Sequence, residues 1–204
     1  MVIETNDSIE QKILSAAKKV FIRAGFSGGK MQAIADEAGI NKAALHYYFR
    51  SKDKLFDIIF KEAFKQMFER ISSIIDDESP FEKKIDKLIE EYIDFFSNNH
   101  YLMPFLVFEM IKNPEFINKI IELPELKSKP KKIIKQIEES IAAGCIKQID
   151  PIQLYLNIVS MCAFPFLARP VFCSIFGVDD KKFNRLMQER PKILTQFIKD
   201  AVFA

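Results

Sequence analysis

Apolar positions recur at three- and four-residue intervals along nearly the whole chain, the spacing that lines up one face of a helix. The first stripe is Ile9, Ile13, Ala16, Ala17, Val20 and Phe21. Ser8 and Gln11 have the spacing of a capping box with Ser8 as N-cap, and Gly25 stands where a C′ glycine ends a helix. A short second helix is predicted from about Lys30 to Ala38, with Met31, Ile34 and Ala35 facing inward. Gly39 closes it in a turn that needs a positive φ. Asn41 is placed to cap a third helix, Lys42 to Tyr48, and Ser51 a fourth, with Asp53 near its positive end.

That fourth helix is long, about Lys52 to Ile75. Phe56, Phe60, Phe64 and Phe68 recur along it at four-residue spacing beside Leu55, Ile59, Ala63, Met67 and Ile71, a broad apolar face. Further helices are predicted at about Pro80 to Asn98, Tyr101 to Lys112 and Leu126 to Ala143, with a short helical piece near Glu115 to Ile121. Asp150 and Pro151 are cap and first residue of another long helix, which Pro165 and Pro170 should kink or break. The last runs from Asp180 to Val202, with a kink expected at Pro191. There is no strand pattern and no repeat of fixed period, so the fold class is all-α.

Composition narrows the function more than the fold. At 204 residues, 49% apolar and 28% charged, the chain has a globular balance, and six Gly and nine Pro are too few for a β-sandwich. Twenty Phe against five Tyr and no Trp is apolar bulk enough for a large core and a cavity or interface besides. The three Cys have no metal-like spacing and read as reduced, buried thiols of a cytoplasmic protein. The polar start carries no signal peptide, and the uncharged stretch from Pro151 to Ala168 reads as a buried helix, not a membrane span. With two His, no H-E-x-x-H, no G-x-S-x-G and no Gly-rich phosphate loop, nothing supplies convergent catalytic chemistry. Adjacent acids such as Glu90-Glu91 point to different sides of a helix. No enzyme activity, cofactor or metal is expected.

A net charge of +2 makes no global field, so any footprint for nucleic acid must be local. Residues 1–54 hold nine Lys/Arg against six Asp/Glu, a local net of +3. Within them, two short helices joined by a Gly turn have helix-turn-helix spacing. DNA reading of this kind needs a short second helix whose N-terminal side chains reach base edges, with small residues for close approach and cations and hydroxyls for phosphates. In Lys42-Ala43-Ala44-Leu45-His46-Tyr47-Tyr48, Leu45 points inward and the others can face out, and Arg50, Lys52 and Lys54 follow.

The stretch from Ile34 to Phe56, with its IA-x-x-AG turn, its Y-Y-F after the recognition helix and its S-K-x-x-L opening of the fourth helix, resembles the TetR family of bacterial transcriptional regulators. The resemblance covers about residues 8–57. It implies an N-terminal three-helix helix-turn-helix domain, residues 1–50, and a C-terminal helical ligand-binding and dimerisation domain, residues 51–204. It also implies a cytoplasmic homodimer on pseudo-palindromic double-stranded operator DNA, acting as a repressor, with no membrane partner. Carried over residue by residue, Lys42, Ala43, Ala44 and Gln32 take base-reading positions, and Lys30, His46, Tyr47, Tyr48 and Lys52 take phosphate positions. Gly28-Gly29-Lys30 departs from the family, which usually opens the second helix with Thr or Ser; Gly29 can still cap and Lys30 can supply charge.

The aromatic middle has two readings. Phe64, Phe68, Tyr92, Phe96, Tyr101, Phe105 and Phe108, with Met161 and Phe164 on the far side, are either core or the lining of a pocket for a small apolar or amphipathic ligand. Dimerisation is expected through residues 150–176 and 180–202, whose apolar content exceeds what a monomer surface exposes. The run Lys127, Lys129, Lys131, Lys132 and Lys135 reads as a solvated face, as does Asp36-Glu37. The competing functional reading is a helical ligand-sequestering or interaction protein that has lost operator reading.

Overall fold

The computed structural model describes residues 6–112 and 124–203, and within them the side chains of all but residues 6, 7, 105, 108–110, 112 and 124–128. The helices are α1 (Asn6–Gly28), α2 (Met31–Ala38), α3 (Lys42–Tyr48), α4 (Lys52–Asp76), α5 (Phe81–Asn98), α6 (Leu102–Lys112), α7 (Pro124–Ala142), α8 (Pro151–Leu167), α9 (Arg169–Phe176) and α10 (Asp180–Val202). Among the described residues the only β-type pairing is one isolated bridge, Ile146 with Phe203. The chain is all-α. The helical piece expected near 115–121 lies outside the described residues.

Several caps fall where the pattern puts them. Asn41 Oδ1 accepts from the Ala44 amide at 2.7 Å, Ser51 Oγ from Lys54 at 3.2 Å and Asp150 Oδ1 from Gln153 at 2.9 Å. Ser8 differs: α1 already begins at Asn6, so Ser8 lies inside its first turn. Gly25 does break α1, at φ 66° and ψ 176°, but one more turn follows to Gly28. Two of the thiols are also less enclosed than expected, since Cys145 is exposed and Cys173 only half-buried, while Cys162 is buried and all three are free.

The prolines act unequally. Pro170 sits in the first turn of α9, where a missing N–H costs nothing, and α8 and α9 meet at 68° across Ala168. Pro191 does not interrupt α10. Pro165 lies inside α8 and removes the amide that would bond to the carbonyl four residues back, that of Met161. Arg190 of α10 replaces it: Nε and Nη2 donate to Met161 O at 3.1 and 2.7 Å. Desolvation lowers the pKa of this half-buried guanidinium.

One continuous apolar core runs from α1 to α10. Helix α4 is its spine, packed on α1, α5 and α7, while α5 also packs on α8 and α10. The far end of α4 is clamped. Ile75 O accepts from the buried Lys84 Nζ at 3.0 Å and from Gln136 Nε2 at 3.0 Å, and Asp76 pairs with Lys129 and Lys132 of α7. Hydrogen bonds from those two lysines hold the Asp76 carboxyl at about 2. Part of the lysine run is therefore a strut between helices and not a purely solvated face. Among the described residues, no single helix is long and apolar enough to cross a membrane, and α8 with α9 would be so only as a bent pair.

Candidate nucleic-acid interface

The interface is built from the turn outward. Gly39 takes the left-handed conformation at φ 66° and ψ 33°, and the amides of Gly39 and Ile40 donate back to Asp36 O at 3.1 Å and Ala35 O at 3.0 Å. That closes α2 and turns the chain into α3 with its orphan carbonyls satisfied. Ile34, Ala35 and Leu45 are fully buried and lock the two helices together. What α3 leaves outside is Lys42, Ala43, His46 and Tyr47, with Ala44 half-exposed; Tyr47 is 79% exposed and meets the half-buried Tyr48 edge-on at 5.3 Å. Small residues near the N-terminus of an exposed helix, a cation in front and phenols behind, present a surface that can enter a major groove.

Other sequence-derived positions are more engaged. Gln32 is exposed on α2 but donates to Asp36 Oδ1 at 2.8 Å, one turn away. Lys30 is exposed at the N-cap position of α2, and its side chain makes no cap bond. Lys52 turns inward: Nζ donates to Phe26 O at 2.9 Å and lies 4.3 Å from the centroid of the Phe26 ring. It ties the start of α4 to the last turn of α1.

Three positioning residues carried too little sequence signal to single out for this role. Gly29 is buried against Phe21, and a Cβ there would lie 2.7 Å from two ring carbons, so the residue cannot carry a side chain without displacing the ring. Its amide donates to Gly25 O at 3.0 Å, and Lys30, not Gly29, is the N-cap. The Gly28-Gly29 pair was the available hint. Phe26 packs edge-on against Phe56 at 4.8 Å, and Phe56 against Phe21 at 4.9 Å. Glu37, expected on a solvated face, instead accepts from Arg23 at 2.7 Å and sits 3.5 Å from Lys19, which joins α2 to α1. Those cations hold its carboxyl below the ordinary glutamate value, the Arg23 hydrogen bond most of all.

Comparison with known proteins decides what this surface belongs to. The family model described as bacterial regulatory proteins, tetR family, matches residues 13–59, and that of the tetracyclin repressor-like C-terminal domain matches residues 82–196. The chain belongs to the TetR family. It is 27% identical to the HTH-type transcriptional repressor NicS of Pseudomonas putida over 175 residues, 85% of this chain and 82% of that protein. It is 26% identical to the fatty acid metabolism regulator protein of Bacillus subtilis over 138 residues, 67% of this chain and 70% of that one. Among solved structures, a TetR/AcrR-family regulator from Thermobifida fusca superposes with a TM-score of 0.65 at 18% identity, covering 93% of this chain and 97% of its own. The regulator FadR of Bacillus subtilis, solved with stearoyl-CoA, gives 0.60 at 21% identity, covering 91% and 97%. TetR-family transcriptional regulation is the function class of this chain.

In this TetR-family chain the aromatic set expected to line a pocket divides. Phe64, Tyr92 and Phe96 are buried, Phe68 is partly so, and they pack ring on ring. Phe64 lies 5.3 Å from Phe95 and 6.0 Å from Phe68, and Phe96 lies 5.9 Å from Phe166. Tyr92 Oη and Tyr155 Oη share a hydrogen bond of 2.7 Å, and burial raises the Tyr92 pKa well above the ordinary phenol value. Tyr101 is buried next to Phe56 and belongs to a different cleft, between α1 and α6. Met161 and Phe164 face an outer apolar groove of about 660 Å³ between α8, α9 and α10. Phe105 and Phe108 lie outside the described side chains. Among the described residues, the set is not gathered around one void, because the ladder on α4 spends its rings on packing, Phe56 against α1 and Phe64 against α5.

The outer face of α8, α9 and α10 is the other exposed surface of note. Ile152, Leu156, Phe164, Val171, Ile175, Phe176, Ile193 and Phe197 are each more than half exposed.

Proposed function

We propose that the chain is a homodimeric repressor, released from operator DNA by a small apolar or amphipathic ligand. The observation that carries the DNA reading is the recognition helix itself: Asn41-capped, seated on a buried Leu45, and showing solvent a lysine and two small residues at its start. In this reading residues 1–50 bind DNA and residues 51–204 dimerise and sense ligand. Lys42, Ala43, Ala44 and Gln32 meet base edges, while Lys30, His46, Tyr47 and Tyr48 hold phosphates. Lys52 braces α4 against Phe26 and adds its charge from there.

The apolar outer face of α8–α10 supports the dimer, since it exceeds what single scattered apolar residues would give and is continuous over three helices. Two-fold pairing there presents two α3 helices to successive major grooves of a pseudo-palindrome. A ligand acts by binding one spacing of those helices better than the other, and shifts the equilibrium only by that difference. FadR, solved with stearoyl-CoA, supports an amphipathic ligand as the class to try first. Cytoplasmic residence follows from the role.

The test is a mobility shift on the intergenic DNA beside the protein's own gene, with Lys42→Ala alongside. The variant should lose about 1–3 kcal/mol on the best site and relax its preference at one base pair. Equal loss on every sequence would make Lys42 a phosphate contact. A wild type with no preference among sequences would favour the ligand-sequestering alternative.

A further inference from the structure

A cleft of about 490 Å³ lies where the helix-turn-helix meets the rest of the chain. Phe21, Ile22 and Phe26 of the α1 end form one wall, and Tyr101, just before α6, with Phe166 and Leu167 of α8 face them. Its volume is within the usual range for small-molecule sites, which favour domain junctions. Aromatic rings on both sides suit a flat molecule. Among the described residues no Asp or Glu lines it, whereas His100 and Arg169 do. Arg169 stands at its edge, with Nη2 donating to Asp180 at 2.8 Å and the guanidinium 4.8 Å over the Phe183 ring, both outside the lining. A guanidinium has five N–H donors, so one bond to Asp180 does not exhaust it. Apolar walls with an arginine at the edge complement an apolar body carrying one negative charge.

We propose that this interdomain cleft is an effector site for a flat aromatic carboxylate. The inference rests on the regulator reading above and adds a site outside the α4–α5 interior. Its coupling to DNA runs through Phe26. That ring lines the cleft, the same residue's carbonyl holds Lys52 at the start of α4, and the ring packs against Phe56 at 4.8 Å. On the same wall the Phe21 ring sits so close to Gly29 that a Cβ there would lie 2.7 Å from it. A molecule wedged between Phe26 and Leu167 therefore changes the seat of α4 and, with it, the orientation of α3.

The absence of Trp from the chain makes the test direct. Leu167→Trp, at a rim position 36% exposed, places a single fluorophore at the cleft, and Phe197→Trp, 58% exposed on α10, serves as the remote control. Naphthalene-1-carboxylate is titrated into both full-length proteins. The expected result is a saturable emission change in Leu167→Trp alone, weakened by about tenfold when Ile22→Glu adds a carboxylate to the rim. Naphthalene-1-carboxamide should bind less tightly than the acid. Equal changes in both reporters, no change in either, or indifference to Ile22→Glu would overturn the site. The same acid should shift operator affinity of the wild type. Saturation of the cleft with operator affinity unchanged would overturn the effector role and leave DNA binding intact. Failure of the unliganded protein to bind any operator would instead sink the regulator reading, while the fluorescence still decides the cleft.

Discussion

The helix-turn-helix and the α8–α10 region expose opposite kinds of surface from equally well-filled interiors. Around α3 Ile34, Leu45 and Phe49 are buried, and what faces solvent is Lys42, two alanines, His46 and Tyr47. Around α8–α10 the interior is filled by Leu154, Ile158, Phe183, Leu194 and Ile198, yet Phe164, Ile175, Phe176 and Ile193 are left in water. A soluble surface of the first kind is complete for a polar, charged partner. One of the second kind is incomplete, because burying what remains exposed of each such side chain is worth about 1–2 kcal/mol that the single chain forgoes. In the proposed reading the two surfaces serve two partners, nucleic acid and a second copy.

The largest effect should come from making the second surface resemble the first. Phe176→Glu with Ile193→Glu should yield a folded monomer by sedimentation, and operator affinity should fall by about 100-fold or more as the two half-sites are no longer linked. A variant that stays dimeric would place the interface elsewhere.

Next in size is the bond that lets α8 keep a proline. Arg190→Met strands Met161 O and should cost about 1.5–3 kcal/mol in denaturant unfolding. Pro165→Ala in that background restores an amide donor, so the double variant should recover much of the loss. Additive behaviour of the two changes would refute the repair. Gly29→Ala follows at about 1–3 kcal/mol, from overpacking against Phe21, with the helix-turn-helix melting before the C-terminal helices. Hydrogen exchange that shows uniform loss would argue against a local cause.

The smallest effect concerns pH. Asp76 is held at about 2 against an ordinary aspartate value of 3.8, so its pairing with Lys129 and Lys132 stabilises fully above pH 4 and is lost as pH falls through about 2. Its side chain is 45% exposed, which keeps the contribution small. Asp76→Asn should lower Tm near neutrality and converge with the wild type toward pH 2. A difference that persists at pH 2 would assign the effect to packing.

How much the sequence revealed follows the same division. Asn41, Gly39 and Ser51 act within a few residues of themselves, so spacing alone disclosed the turn, the caps and the outward face of α3. The family resemblance puts Lys52 at a phosphate position, and nothing local shows that Phe26, twenty-six positions away, supplies it with a carbonyl and a ring. Glu37 with Arg23, Gly29 with Phe21 and Arg190 with Met161 are all pairings of this long-range kind. The Phe ladder was legible as an apolar face, but whether a face closes on a neighbouring helix or on a ligand depends on what α5 brings to it. Pro191 was expected to kink α10, and the helix continues through it.

The most direct test of the account is selection of the purified protein on a random-sequence DNA library at two salt concentrations, followed by sequencing. The account predicts one enriched pseudo-palindrome that survives the higher salt, with two chains bound per site. Binding that disappears with salt and enriches no sequence would contradict it.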